Sequence, residues 1–258
     1  MMRGDWTWSE AMRWTHQEHG VRAEEHFSTS IDVGDHVARF VLARCLDAAR
    51  RHGIAEPWIV DVGAGSGRLL RQLLDLGFPG DRLMGVDVRA RPDLPVHWIQ
   101  AVAPECLPPV EGLVFAHEFL DDMPADVVRD GRVELVDGSL APAAAEEQQA
   151  WAARWGDGVC GLTRDDAWAR IVASVTVGEA IAVDYPPAGM VGHLNGRRTP
   201  GVVDGRDLSA GVDFRSLRAR TGGRVVPQHR LFPQEPVLAD RAGLGSFLWL
   251  FTDVGRSH

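Results

Sequence analysis

The chain has 258 residues, of which 45% are hydrophobic and 24% charged, with a formal net charge of −9. This is the composition of an ordinary globular protein, and its acidity argues against a nucleic-acid footprint or an anionic membrane partner. All 27 basic residues are Arg, so Schiff-base and lysine-base chemistry is excluded.

Cys45, Cys106 and Cys160 lie far apart, with no C-x-x-C and no histidine spacing suited to zinc. No metal is expected, and the thiols fit a reducing cytoplasm. Met1 to His26 contain no apolar signal core, and no apolar run approaches the roughly 20 residues that span a bilayer. The expected location is cytoplasmic, with no membrane partner.

In chain order, residues 7–19 read as a short helix with Trp8, Ala11, Met12 and Thr15 on one face. A second helix is predicted from about Val33 to Arg51, with Gly53 ending it. Strand one is Trp58 to Val62, and the helix after it carries Leu69, Leu70, Leu73 and Leu74 as far as Gly77. Strand two is predicted over Arg82 to Val88, strand three over Val96 to Gln100 and strand four over Leu113 to Ala116. An irregular region follows, about 120–178, with a hairpin (127–128 and 132–136) and a helix opened by Thr163 with Asp166 three residues on. Strand five is Ala180 to Tyr185. Next come a Gly/Arg-rich loop (Gly189 to Gly205), a helix near Asp213 to Arg220, and two strand-like runs, Arg224 to Phe232 and Phe247 to Val254. Alternating strands and helices make an α/β fold with a mostly parallel sheet, its last two runs forming an antiparallel edge. Residues 1–53 are expected to form a helical cap on a domain of residues 54–258.

The most informative segment is Asp61-Val62-Gly63-Ala64-Gly65-Ser66-Gly67, where an apolar strand runs into three glycines and then a helix. Glycine allows positive φ and close backbone approach to a ligand, and a helix N-terminus offers unpaired N–H groups. Dinucleotide folds use G-x-G-x-x-G. Here the third glycine comes one residue early and Asp61 stands two residues before the first, the variant associated with S-adenosylmethionine (SAM). Asp87 ends strand two, about twenty residues beyond Gly67, where an acid would hold ribose hydroxyls. Asp61 would meet the ammonium of the methionine moiety, and Gln100 and Ala101 stand where such folds contact adenine.

Strand four leads into Ala116-His117-Glu118-Phe119-Leu120-Asp121-Asp122-Met123-Pro124. Polar residues here would line the reaction centre, with His117 touching the cofactor. Glu118 and Asp121, three apart, could bind a guanidinium and localise its lone pair for attack on a sulfonium methyl. The plain alternative for both acids is a solvated, capping turn. His193, in the glycine-rich loop, is a candidate general base or a merely exposed residue, and Tyr185 is the only tyrosine.

With these residues in place, the chain resembles the MidA-like family of class I SAM-dependent methyltransferases, whose mitochondrial members are arginine methyltransferases serving respiratory complex I assembly. The resemblance runs from His26-Phe27-Ser28-Thr29-Ser30 to Ala242-Gly243-Leu244-Gly245. The family's glycine motif usually begins with Glu, here Asp61. Its Ala-Asn-Glu-Phe-Phe-Asp-Ala-Leu-Pro signature is similar to Ala116 to Pro124, with His117 in place of Asn. Its Asp-Tyr at the end of strand five falls on Asp184-Tyr185. Its Asp-Ile-Thr-Ala-His-Val-Asp-Phe is similar to Asp207 to Phe214, with Gly211 in place of His. The resemblance implies a Rossmann-like seven-stranded methyltransferase sheet and, most plausibly, a protein arginine as methyl acceptor. Two other readings stand beside it: a small-molecule oxygen or nitrogen acceptor, and a degenerate methyltransferase fold acting as an assembly factor. The sequence leaves open whether the chain forms a homo-oligomer.

Overall fold

The computed structural model describes residues 4–18, 29–187, 189–194, 197–200 and 207–255, except for the side chains of 16–18, 142, 190–194, 197–200 and 207. In chain order the elements are α1 (Trp8–Glu18), α2 (His36–His52), β1 (Trp58–Val62), α3 (Arg68–Asp75), β2 (Leu83–Asp87), β3 (His97–Gln100) and β4 (Val110–His117). Next come β5 (Val127–Arg129), β6 (Arg132–Glu134), β7 (Leu140–Ala143), α4 (Glu146–Trp155), β8 (Gly158–Val159), α5 (Leu162–Ser174) and β9 (Val175–Asp184). The chain continues through β10 (Met190–Leu194), β11 (Arg197–Pro200), β12 (Asp207–Ala210), α6 (Phe214–Thr221), β13 (Arg224–Pro227), α7 (Gln228–Leu231), α8 (Pro236–Ala239) and β14 (Leu248–Val254).

The chain divides into two compact units, one drawn from residues 1–27, 120–166 and 185–217, the other from 28–119, 167–184 and 218–258. Of the expected cap over residues 1–53, α1 falls in the first unit and α2 in the second.

The second unit holds a seven-stranded sheet in the order β13-β14-β9-β4-β1-β2-β3. β9, β4, β1, β2 and β3 run parallel, and β14 pairs antiparallel with both β9 and β13. From β1 the chain passes to β2 on one side and later to β4 on the other, which makes the carboxyl end of β1 a topological switch point. Burial on both faces explains the near-continuous apolar runs of β1 and β4. α2 packs its Val37, Val41, Cys45 and Ala48 inward and ends on left-handed Gly53, as its sequence predicts. Its Arg44 makes a bidentate pair with Glu179, a buried carboxylate of β9.

Two strands are longer than their sequence predicts. β4 starts at Val110 rather than Leu113, and β9 at Val175 rather than Ala180, inside the region expected to be irregular. Gly112 and Gly178, both outside the predicted strands, pair in register on β4 and β9. A Cβ on Gly178 would sit 1.8 Å from the Gly112 carbonyl oxygen, and one on Gly112 would sit 2.2 Å from the Trp58 carbonyl oxygen. The glycines are there because the backbones approach too closely for a side chain. The predicted strand Arg224 to Phe232 stops instead at Pro227, which caps the short helix α7. Proline cannot extend the ladder, and Gln228 is drawn into a buried network with Ser30, Trp249 and the Leu244 carbonyl.

The first unit holds two small sheets, β7-β6-β5-β8 and β11-β10-β12. The second replaces part of the expected Gly/Arg-rich loop. α1 contributes Trp8, Ala11 and Met12 to a cluster with Val127, Val136 and Leu208, which accounts for the apolar face read from its sequence. α5 starts at Leu162, and Thr163 donates its hydroxyl to the Pro124 carbonyl at 2.8 Å rather than opening the helix as a cap.

Candidate functional site

The glycine turn stands at the carboxyl end of β1. Gly63, Gly65 and Gly67 all have positive φ, at 73°, 55° and 77°, conformations that cost other residues about 1 kcal/mol or more. The Gly63 and Ala64 amides both donate to the Val86 carbonyl, folding the turn onto the end of β2. Gly67 is the left-handed residue before α3, and a Cβ there would meet Leu94 at 2.9 Å and Pro92 at 3.1 Å. The turn therefore depends on glycine for conformation at all three positions and for space at Gly67.

Asp87 closes the turn from β2. One carboxylate oxygen accepts from the Gly65 amide at 2.8 Å and the other from the Arg89 amide at 2.9 Å. Each oxygen of an ionised carboxylate takes two donors, so the group retains capacity for a ligand's hydroxyls. Asp61, on the neighbouring strand, is 3% exposed. Burial first, and the charge of Asp87 second, push its carboxyl up to about 7. No cation among the described residues opposes those two effects, so a ligand ammonium would suit this position electrostatically.

Gln100 lies opposite Asp87 in the β2–β3 register, and the Ala101 amide donates to the Asp87 carbonyl at 3.0 Å. The Gln100 side chain donates to the Val88 carbonyl at 3.3 Å. Val88 is not the last residue of β2, as predicted, but the first beyond it. It is 63% exposed, and Val102, just past β3, is 70% exposed. Two bare apolar side chains thus flank the Asp87–Gln100 pair. Their identity gave no sequence signal, because valine at a strand end reads as more strand.

At the end of β4, His117 is buried, its ring stacked on Phe115 at 5.9 Å and Phe247 at 6.4 Å. Burial pushes its imidazole down to about 3, so it is neutral. Glu118 follows with φ of +50°, a left-handed conformation that is uncommon for a residue with a side chain. Its amide donates to the Val183 carbonyl at 2.9 Å, which holds the strained residue in place. Such strain, roughly 1 kcal/mol or more, concentrates where function over-determines the backbone. The phenyl ring of Phe119 lies over Gly63, within 3.0 Å of where a Cβ would be. The sheet unit thus brings together Asp61, Asp87, the three glycines, Gln100, Ala101, His117 and Glu118.

Asp121 belongs to the other unit. It is buried, and its carbonyl accepts from the Ala210 amide at 3.1 Å and from Arg164 at 2.9 Å. Arg164 is only 1% exposed and also donates to the carbonyls of Gly211 at 2.9 Å and Met123 at 3.1 Å. One buried guanidinium thus ties the turn after Asp121 to the segment where Gly211 replaces the expected histidine. Sequence reading missed Arg164, since nothing local marks an arginine in α5 as buried. Tyr185 is also buried there, its hydroxyl 2.7 Å from that of Ser209. His193 lies on β10 opposite Asp207 and Arg198, but its side chain lies outside the described residues, as do His26 to Ser28.

A pocket of about 440 Å3, lined by Ala55, Glu56, Trp58, Arg82, Pro109 and Glu111, opens at the amino ends of the same parallel strands. That is the opposite edge from the glycine turn. Its Arg82 is engaged with Glu56 and lies over the Trp58 ring. Among the described residues no group of three His, Cys, Asp or Glu side chains could hold a metal ion, and no helix is long and apolar enough to cross a membrane.

No protein-family model matches the chain, and no curated protein matches it. Solved structures do. One is a protein from Burkholderia thailandensis, inferred to be a methyltransferase and bound to S-adenosyl-homocysteine, with 20% identity and a TM-score of 0.75. The match covers 98% of this chain and 88% of that one. A second structure, of an uncharacterized protein from Burkholderia thailandensis, has 21% identity, a TM-score of 0.71 and the same coverages. The plantazolicin methyltransferase in complex with SAH matches at 9% identity and TM-score 0.52, over 96% of this chain and 95% of that one. With the strand order above, these likenesses define the fold as the Rossmann-like class I methyltransferase fold.

Proposed function

We propose that this chain is a SAM-dependent methyltransferase of the MidA-like type, acting in the cytoplasm on a protein arginine side chain. The observation that carries the reading is the closed glycine turn: Asp87 bonded to the Gly65 amide, beside a buried Asp61 that no cation among the described residues offsets. In this reading Gly63, Gly65 and Gly67 admit the donor, and Asp87 accepts its ribose hydroxyls. Asp61 meets its ammonium, and Gln100 and Ala101 border its adenine between Val88 and Val102. Bound SAM supplies an electrophilic methyl group on a sulfonium. The protein orients the acceptor and excludes water around it. Glu118 orients the guanidinium and takes up the proton that it loses; Asp121 is proposed for the same role from its place in the sequence alone.

What supports a cationic acceptor is the Glu118 carboxylate at the end of β4, since a carboxylate attracts a cation. The test is calorimetric titration with SAM, followed by transfer of labelled methyl from SAM into a cell lysate. Saturable binding with label in the protein fraction, on arginine after hydrolysis, is expected. Label confined to small solutes would move the acceptor to a small molecule. Tight binding with no transfer to any fraction would make the chain a methyltransferase fold that serves as an assembly factor.

A further inference from the structure

Asp165 is a buried acid of the first unit that the proposed chemistry does not use. It stands in the first turn of α5 and is 6% exposed. Its Oδ2 accepts from the indole Nε1 of Trp151 on α4 at 2.9 Å. Its Oδ1 lies 2.6 Å from the hydroxyl of Ser216 on α6, and that hydroxyl lies 2.9 Å from the Asp213 carbonyl. Trp151, Asp213 and Ser216 are all buried. A Cβ on Gly161 would meet the Trp151 ring at 2.9 Å and the Ser216 hydroxyl at 3.4 Å, so the backbone itself packs against both donors.

A serine hydroxyl has one proton, and here two acceptors compete for it. While Asp165 is ionised, its Oδ1 and the Asp213 carbonyl both face the Ser216 proton, and only one receives it. With a proton on Oδ1, Asp165 donates to Ser216, Ser216 donates to the Asp213 carbonyl, and Trp151 still donates to Oδ2. Each proton then has its own acceptor. The surrounding charges favour the same state. Asp213, just before α6, and Asp166, on α5 itself, both bear on the group with negative charge. Arg215 is paired with Asp213, and Arg164 directs its guanidinium to the carbonyls of Asp121, Met123 and Gly211. From α4 it is the uncharged indole of Trp151 that faces the acid. Cys160, just before α5, is a buried thiol that burial keeps protonated. Burial first, with Asp213 and Asp166 adding to it against the two hydrogen bonds, pushes the Asp165 carboxyl up to about 6.

We propose that Asp165 is a proton-dependent latch: protonated, it completes a hydrogen-bond chain that ties α4, α5 and α6 together; ionised, it leaves that chain one proton short and the tie loosened. The unfolded chain ionises this acid near the ordinary 3.8. Between that value and about 6 the folded state holds the extra proton, so the stabilisation is lost as pH rises through the window. The latch closes in mild acid and eases towards neutrality. It stands one residue from Arg164, the guanidinium that organises the turn after Asp121. None of this depends on which acceptor is methylated.

Carbon-13 NMR of the aspartate carboxyls in the intact protein, from pH 4 to pH 8 with through-bond assignment, reads the proton directly. A midpoint near 6 is expected for Asp165, with the Trp151 indole proton shifting at the same midpoint. A midpoint no higher than the ordinary 3.8, or an indole that does not follow the titration, overturns the proposal. Amide hydrogen exchange of α4 and α6 at pH 5 and pH 7.5, corrected for intrinsic rates, reads the tie. D165N keeps the protonated pattern, since its amide nitrogen donates to Ser216 and its oxygen accepts from Trp151. The rise in opening between the two pH values should be about tenfold larger in wild type than in D165N. That comparison also separates Asp165 from the raised Asp61 carboxyl, which both proteins retain. Equal rises in the two proteins, or none in wild type, overturn the latch. If D165N does not fold, the wild-type titration and exchange still decide.

Discussion

The Asp87 carboxylate accepts a hydrogen bond from the Gly65 amide at 2.8 Å, across 22 residues of chain. This bond joins the strand-end acid to the glycine turn. Asp87→Ala removes that acceptor and, in the proposed function, the group that would accept from the ribose hydroxyls. SAM affinity should fall by about 1.5–3 kcal/mol, as for hydrogen bonds to a charged group. Titration calorimetry measures it, and unchanged affinity would remove Asp87 from the cofactor site.

The buried Asp61 makes both stability and binding depend on pH. In the folded protein burial raises its carboxyl to about 7, against an ordinary value of 3.8. Between those values the folded state holds more protons than the unfolded one, so this group's contribution to stability is lost as pH rises through the window. SAM affinity should move the other way, rising towards pH 7, because the ligand ammonium needs the ionised carboxylate. Calorimetry at pH 5.5 and pH 8 on wild type and Asp61→Asn tests this. A pH dependence that survives intact in the variant would point to another group.

Glu118 combines a side chain proposed to orient the acceptor with a strained backbone. Glu118→Gln should retain SAM affinity and lose turnover, as measured by methyl transfer with labelled donor. Glu118→Gly should also lose turnover while keeping or slightly raising stability, since glycine takes up φ of +50° without the roughly 1 kcal/mol that other residues incur. Clear destabilisation of the glycine variant would show that the side chain, not the backbone, holds this position.

Gly67→Ala should destabilise the ligand-free protein by about 1–3 kcal/mol in denaturant unfolding, from positive φ together with the 2.9 Å approach to Leu94. If instead Leu94 and Pro92 give way freely, the loss will fall to the conformational part alone, about 1 kcal/mol.

Arg164→Met should be the most damaging of these substitutions. It removes the donor shared by the carbonyls of Asp121, Met123 and Gly211 in a fully buried setting, at an expected 3–5 kcal/mol. Thermal and denaturant unfolding measure the loss. A near-neutral result would mean that water replaces the guanidinium.

Much of the sheet was legible because its signals are local. β1, β2 and β3 come within a residue of their sequence-based bounds, each being an apolar run closed by a turn. β4 and β9 were read too short, each predicted to start only after its glycine, Gly112 or Gly178. These glycines are contact points whose meaning depends on a strand 66 residues away, and sequence periodicity cannot see that. The same limit hid Arg164, exposed-looking in its own helix, and made the run after Pro227 look like strand, although a buried network around Gln228 turns it into helix.

By itself the sequence determined the positions with a short-range cause: the three glycines, whose spacing dictates a left-handed turn between strand and helix, and the acids at the ends of the first two strands. Only the tertiary structure decided which groups those acids meet and in which protonation state. The Gly65–Asp87 bond, the raised Asp61 carboxyl, the neutral His117 against Phe115 and Phe247, and the left-handed Glu118 all follow from burial and from contacts distant in sequence. Desolvation is a property of the packed surroundings, so no reading of a residue and its neighbours in the chain can supply it.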